Sequence, residues 1–139
     1  MHDTSQTARR NLADPAPERG QATVELALIL PVLCLILFAA LEFGTAFWHF
    51  QQVSAAASEG ARRAAVSRTV STREDDIRTA VVNASPALDE SSIGVSSSST
   101  WNAGDPVTVT VTYPETIRVM GITFFSTNLV SRRTARVEN

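Results

Sequence analysis

The chain has no lysine, a single cysteine (Cys34) and two histidines (His2 and His49) in 139 residues. Each scarcity removes a class of chemistry. One cysteine forms neither an intrachain disulfide nor a thiolate metal cluster. A Ser-His-Asp triad or a histidine-rich metal site would have to use His2, near the terminus, or His49, beside an apolar segment. The six glycines include no phosphate-cradling loop. All twelve basic side chains are arginine and face fourteen acidic ones, so the net charge is −2. That balance is poor for nucleic-acid binding. No catalytic motif, cofactor site or metal site is expected, and the chain reads as something other than an enzyme.

What is present is unevenly spread. The hydrophobic fraction of 44% and mean hydropathy of +0.02 resemble an ordinary soluble domain. Yet Leu26 to Leu41 holds 15 hydrophobic residues in 16 positions, broken only by Pro31. Outside that run only 46 of 123 residues are hydrophobic, which is lean for a self-sufficient core. The average mixes two regions suited to two solvents.

Residues 1–20 are polar, contain Pro15 and Pro17, and show no apolar periodicity, so they read as a disordered segment or leader. Residues 21 to about 67 read as one long helix, with 21–50 as its membrane-spanning part. Between Glu25 and Glu42 lie 16 uncharged residues. They give about 24 Å of helix against a hydrocarbon core of about 30 Å. Phe43, Phe47, Trp48 and Phe50 extend the apolar character, and Trp48 suits an interfacial anchor. Pro31 should kink or locally loosen the helix. Past Phe50, small residues recur at four-residue steps, Ala57-Ala61-Ala65 beside Ala56-Gly60-Ala64. This stripe should pack mostly on the chain's own domain, 51–139, and partly on other subunits.

In that domain, Ser71 to Ala84 reads as a short helix. Ser71 and Glu74 have capping-box spacing, and Ile77, Ala80, Val81 and Ala84 form the apolar face. Ser91 to Ser99 is a weak strand, with its serine run Ser96 to Ser99 read as a flexible segment. Pro106 to Tyr113 alternates cleanly, and Thr127 to Val137 follows an apolar connection through Met120, Phe124 and Phe125. The expected fold class is α+β: a long N-terminal transmembrane helix continuing into a small domain with a short helix and an antiparallel sheet of about three strands.

The junction Arg19-Gly20-Gln21-Ala22-Thr23-Val24-Glu25 stands directly before the apolar run. A carboxylate in lipid costs about 2.5 kcal/mol or more, so Glu25 needs a partner or a proton. Cleavage after Gly20 would create an α-amino group at Gln21, one helical turn from Glu25. Alternatively, Glu25 is simply the last polar residue before an ordinary anchor. The residues alone leave both readings open. Arg9, Arg10 and Arg19 favour a cytoplasmic N-terminus.

From Arg19 to Arg62 the sequence resembles the TadE-like domain of tight-adherence (Tad/Flp) pilus systems. The matching elements are Gly20-Gln21-Ala22, Val24-Glu25, Leu30-Pro31, Glu42-Phe43-Gly44, Gln52 and Glu59-Gly60-Ala61-Arg62. The resemblance implies a minor pilin, or pseudopilin, of the type IV pilus class. A prepilin peptidase would cut between Gly20 and Gln21, leaving Glu25 at the fifth mature position as an assembly residue. The hydrophobic helix would hold the subunit in the inner membrane, with its C-terminal domain extracytoplasmic, until it enters or caps a pilus. The implied partners are lipid, the peptidase, other pilin or pseudopilin subunits and the Tad assembly platform. No nucleic acid or small-molecule substrate is implied. Major Flp pilins are much shorter and carry tyrosine after the glutamate, where this chain has Leu26. The competing reading is an unprocessed bitopic protein acting as an envelope assembly or interaction factor outside any fibre.

Overall fold

The computed structural model describes residues 16–119 and 121–138. Its elements are α1 (Ala16–Val66), α2 (Arg73–Asn83), a 3₁₀ turn (Glu90–Ser92), β1 (Gly94–Ser98), β2 (Pro106–Val119) and β3 (Ile122–Arg136). The expected α+β layout is therefore present. Residues 1–15 of the expected leader lie outside the described residues. Helix α1 begins at Ala16, before the expected start at residue 21. Pro17 is tolerated there because the first turn's N–H groups have no intrahelical partner. Pro31 lies inside α1, which is helical on both sides of it.

Compactness divides the chain within α1, between Ile36 and Leu37. In the first unit, residues 20–33 of the helix are all exposed. The second holds the rest of α1, α2 and the sheet. There the strand order is β1-β2-β3, antiparallel throughout. The sheet lays Val107, Val109 and Val111 into a core with Ile77 and Val81 of α2 and Val53, Ala56, Ala57, Ala61 and Ala64 of α1. The alternation of β2 explains its side: odd positions carry valine inward, and threonines face out. The small-residue stripe of α1 is buried in this core, so the chain's own sheet and α2 cover it. A Cβ on Gly60 would stand 2.7 Å from Val81 Cγ2 and 3.1 Å from Val109 Cγ1, so only glycine lets the three elements approach this closely. Past the strands, the backbone N–H of Glu138 donates to the Ala65 carbonyl at 2.8 Å and ties the chain end to α1.

Three expectations need correction. Helix α2 starts at Arg73, one residue later than the capping-box spacing implies. Its N-cap is Thr72, with no side-chain cap hydrogen bond, and the Glu74 carboxylate instead accepts from Ser97 Oγ at 2.7 Å. The serine run is ordered: Gly94–Ser98 pairs residue by residue with Thr112–Thr108. Finally, the apolar connection through Phe124 and Phe125 is strand. β2 continues past Pro114 to Val119 and β3 begins at Ile122, closing a long hairpin whose Gly121 takes φ +83°. Proline is tolerated in the central strand because β1 ends opposite Thr112, so at Pro114 β2 has one neighbour only.

Candidate functional site

The residues singled out from the sequence are strung along α1 rather than gathered into a pocket. Gly20 is helical and exposed, with open space where a Cβ would go. Gln21 and Glu25 are exposed one turn apart. Such a junction offers a carboxylate to whatever packs beside it.

Between Glu25 and Trp48 the large apolar side chains point outward. Leu28 is 70% exposed and Leu41 59%, and none of the most apolar 18-residue window is buried. The helix is long and apolar enough to cross a membrane. A helix that is hydrophobic all round and unburied requires an apolar surrounding. Pro31 lies inside this stretch. Glu42 is half-buried near its end, where its backbone carbonyl accepts from Thr45 Oγ1 at 2.8 Å. Trp48 is exposed, as an interfacial anchor needs to be.

Sequence reasoning missed the contact that locks the sheet to the helix at the edge of this apolar stretch. His49 Nδ1 lies 2.7 Å from Glu115 Oε2, and the imidazole meets the Tyr113 ring edge-on with centroids 5.7 Å apart. Glu115 is buried although its side chain is polar, and that burial is tolerable because a hydrogen-bond partner faces it. No motif in the sequence marks it, and the face it closes is seen only in the structure. His49 continues the half-buried series Ala39, Glu42, Ala46, which has the spacing of one helix face. Replacing Glu115 with Ala strands a half-buried imidazole, at a cost of about 1–3 kcal/mol. Thermal unfolding of the detergent-solubilised chain followed by tryptophan fluorescence is expected to show a Tm lower by several degrees. An unchanged Tm would mean that the contact contributes no net stability.

Further along, Arg133 donates to Ser54 Oγ at 2.9 Å and to Ser58 Oγ at 3.2 Å, a second tie between β3 and α1. Arg62 pairs with Glu59 at 2.7 Å in the open, and that guanidinium's hydrogen bond holds the Glu59 carboxyl below its ordinary range. At the far end of the sheet, Asp105 accepts from Thr100 and Asn102, which lowers its carboxyl similarly. These contacts satisfy local structure. Among the described residues, no cluster of His, Cys, Asp and Glu could hold a metal ion.

Residues 20–62 match the family described as TadE-like protein, so the segment that resembled the TadE-like domain by its motifs is matched by the family itself. The match associates the chain with tight-adherence pilus systems. No match was found among the curated proteins or among the solved structures.

Proposed function

We propose that the chain is a membrane-anchored minor pilin, or pseudopilin, of a Tad/Flp pilus: a structural subunit that initiates, caps or modulates the fibre rather than an enzyme. The observation that carries this reading is where the family match begins. It starts at Gly20, at the boundary between polar chain and a helix whose apolar length is exposed. In this reading a prepilin peptidase cuts between Gly20 and Gln21 on the cytoplasmic side. The rest of α1 then stays in the inner membrane with the α+β domain outside it. Cleavage requires the helix to open locally, and Gly20 lowers that cost by about 1 kcal/mol relative to alanine. The partners are other pilin-class subunits and the assembly platform.

Intact-mass and N-terminal analysis of the membrane form tests it. The expected mature chain starts at Gln21, and a bulky residue at Gly20 should leave the precursor uncut. A persistent Met1 start in cells with an active prepilin peptidase would support the unprocessed bitopic reading instead.

A further inference from the structure

The β2–β3 hairpin is longer than the core requires, and its far end is apolar. From Gly121 through Asn128 every residue is exposed, so both faces of this part of β3 are open. The apolar residues are those nearest the turn, Ile122 (64% exposed), Phe124 (63%) and Phe125 (56%), whereas Ser126, Thr127 and Asn128 beyond them are polar. Phe124 is the extra residue where the ladder shifts register, opposite Ile117 and Arg118. Bulges at such places re-aim side chains.

The ties between sheet and helix fix the level of this tip. Val109 faces Gly60 and Glu115 faces His49, so between the two contacts β2 advances six residues while α1 runs back eleven. Those spans are about 20 Å of strand and about 17 Å of helix, so the two run side by side in opposite chain directions. Four more strand residues, from Glu115 to Val119, carry the end of β2 back along α1 by about seven helix residues, to about residue 42, at the same pitch. Burial agrees. Val119 is buried, and the half-buried helix positions continue below His49 at Ala46, Glu42 and Ala39, with exposed residues between them. The tip therefore stands beside the apolar run that ends at Leu41, below Trp48.

We propose that the hairpin tip inserts into the membrane leaflet nearest Trp48 as a second, monotopic anchor beside the spanning helix. Ile122, Phe124 and Phe125 sit among the acyl chains. The exposed Arg118 lays its alkyl stem along them and reaches back to the lipid phosphates. Lipid is favoured over a protein partner by the continuity of the tip with the exposed helix surface. Openness on both strand faces and the apolar-to-polar gradient away from the turn point the same way. The apolar zone is also of the right depth, since interfacial elements bury about 5–10 Å. A domain held at two points cannot swing freely about the helix, and leaving the bilayer for a fibre would require extracting the tip as well. This inference rests on α1 spanning a membrane.

The test uses the full chain in a Cys34→Ala background, reconstituted in phosphatidylethanolamine–phosphatidylglycerol vesicles. An environment-sensitive fluorophore is attached at Phe124→Cys, at Leu35→Cys in the span, or at Ala103→Cys in the exposed turn before β2. Quenching by lipids carrying a doxyl group near the head of the acyl chain is compared with quenching by aqueous iodide. The expected result is that the Phe124 label loses most of its intensity to doxyl lipid, is shielded from iodide and emits blue-shifted relative to the Ala103 label. A Phe124 label as open to iodide as the Ala103 label, with the Leu35 label in lipid, sinks the tip and leaves the span intact. A Phe124 label shielded from both quenchers shows protein covering it and also overturns the proposal. A Leu35 label open to iodide removes the span and the tip together.

Discussion

A Glu25→Ala subunit is expected to reach the membrane in normal amount and to be depleted at least about tenfold from sheared pili, a coupling of about 1.4 kcal/mol. Membrane insertion should not suffer, because a carboxylate beside the apolar run opposes insertion, by about 2.5 kcal/mol or more where it reaches the bilayer centre, and alanine removes that cost. In the pilin reading assembly should suffer, because Glu25 is exposed on α1 and open to a partner outside the chain or newly formed within it. Cleavage after Gly20, as proposed, would form such a group. The new α-amino group at Gln21 stands one turn away, about 6 Å along the axis. A neighbouring subunit's amine can reach the same carboxylate inside a helix bundle. At an effective dielectric of about 20, opposite charges 4 Å apart attract by about 4 kcal/mol, so a tenfold loss is a modest demand. The ratio of subunit in filaments to subunit in membranes, measured by immunoblot beside the parent chain, checks the prediction. Equal incorporation would show the carboxylate to be incidental. Mass analysis that found Gln21 cyclised would remove the amine and with it this account of the pairing.

The parts of this molecule that were legible in the sequence are those written in local periodicity. The apolar stretch of α1 follows from a composition broken only by Pro31, and the first half of β2 from the strict alternation of Val107, Val109 and Val111 with threonines. The second half of β2 was not legible because Pro114, Glu115 and Thr116 break that alternation. Phe124 and Phe125, adjacent and both exposed, match no one-sided strand pattern. Pairing across the hairpin makes these segments strands, and pairing is set by a partner rather than by the segment itself. Distance in sequence hid the rest. His49 and Glu115 are 66 residues apart, and Ser97, not the helix's own N-cap, takes up Glu74 at a separation of 23. The junction from Gly20 to Glu25 was the opposite case. Its residues lie exposed along α1, so they were as readable in the sequence as in three dimensions.

Gly60→Leu is expected to unfold the α+β domain while leaving α1 in the membrane, because Gly60 is the point where three elements share one space. A Cβ there already stands 2.7 Å from Val81 Cγ2 and 3.1 Å from Val109 Cγ1, with Ile77 Cγ2 at 3.8 Å. All three neighbours are fully buried, β-branched side chains with little room to rotate. Leucine adds three further heavy atoms in the direction of that contact. Overpacking of this kind costs about 1–3 kcal/mol or more, and the gain from removing a helical glycine, about 1 kcal/mol, does not offset it. Gly60→Ala is the informative control. Its single carbon forces Val81 to shift and Val109 to give by a few tenths of an ångström, partly offset by the same helix gain, so it should destabilise clearly less than leucine. Thermal unfolding and limited proteolysis of the membrane-held chain measure both variants. The leucine variant should lose its cooperative transition or have its domain digested while the membrane-embedded helix stays protected. A leucine variant as resistant as the parent would mean that α1 and α2 can slide apart without loss. The close packing at Gly60 would then not hold the domain together, and the Glu59-Gly60-Ala61-Arg62 element of the matched segment would need another explanation than packing. Because residues 20–50 make no part of this core, a loss of pilus incorporation by Gly60→Leu with normal membrane insertion would also separate the domain's contribution to assembly from that of Glu25.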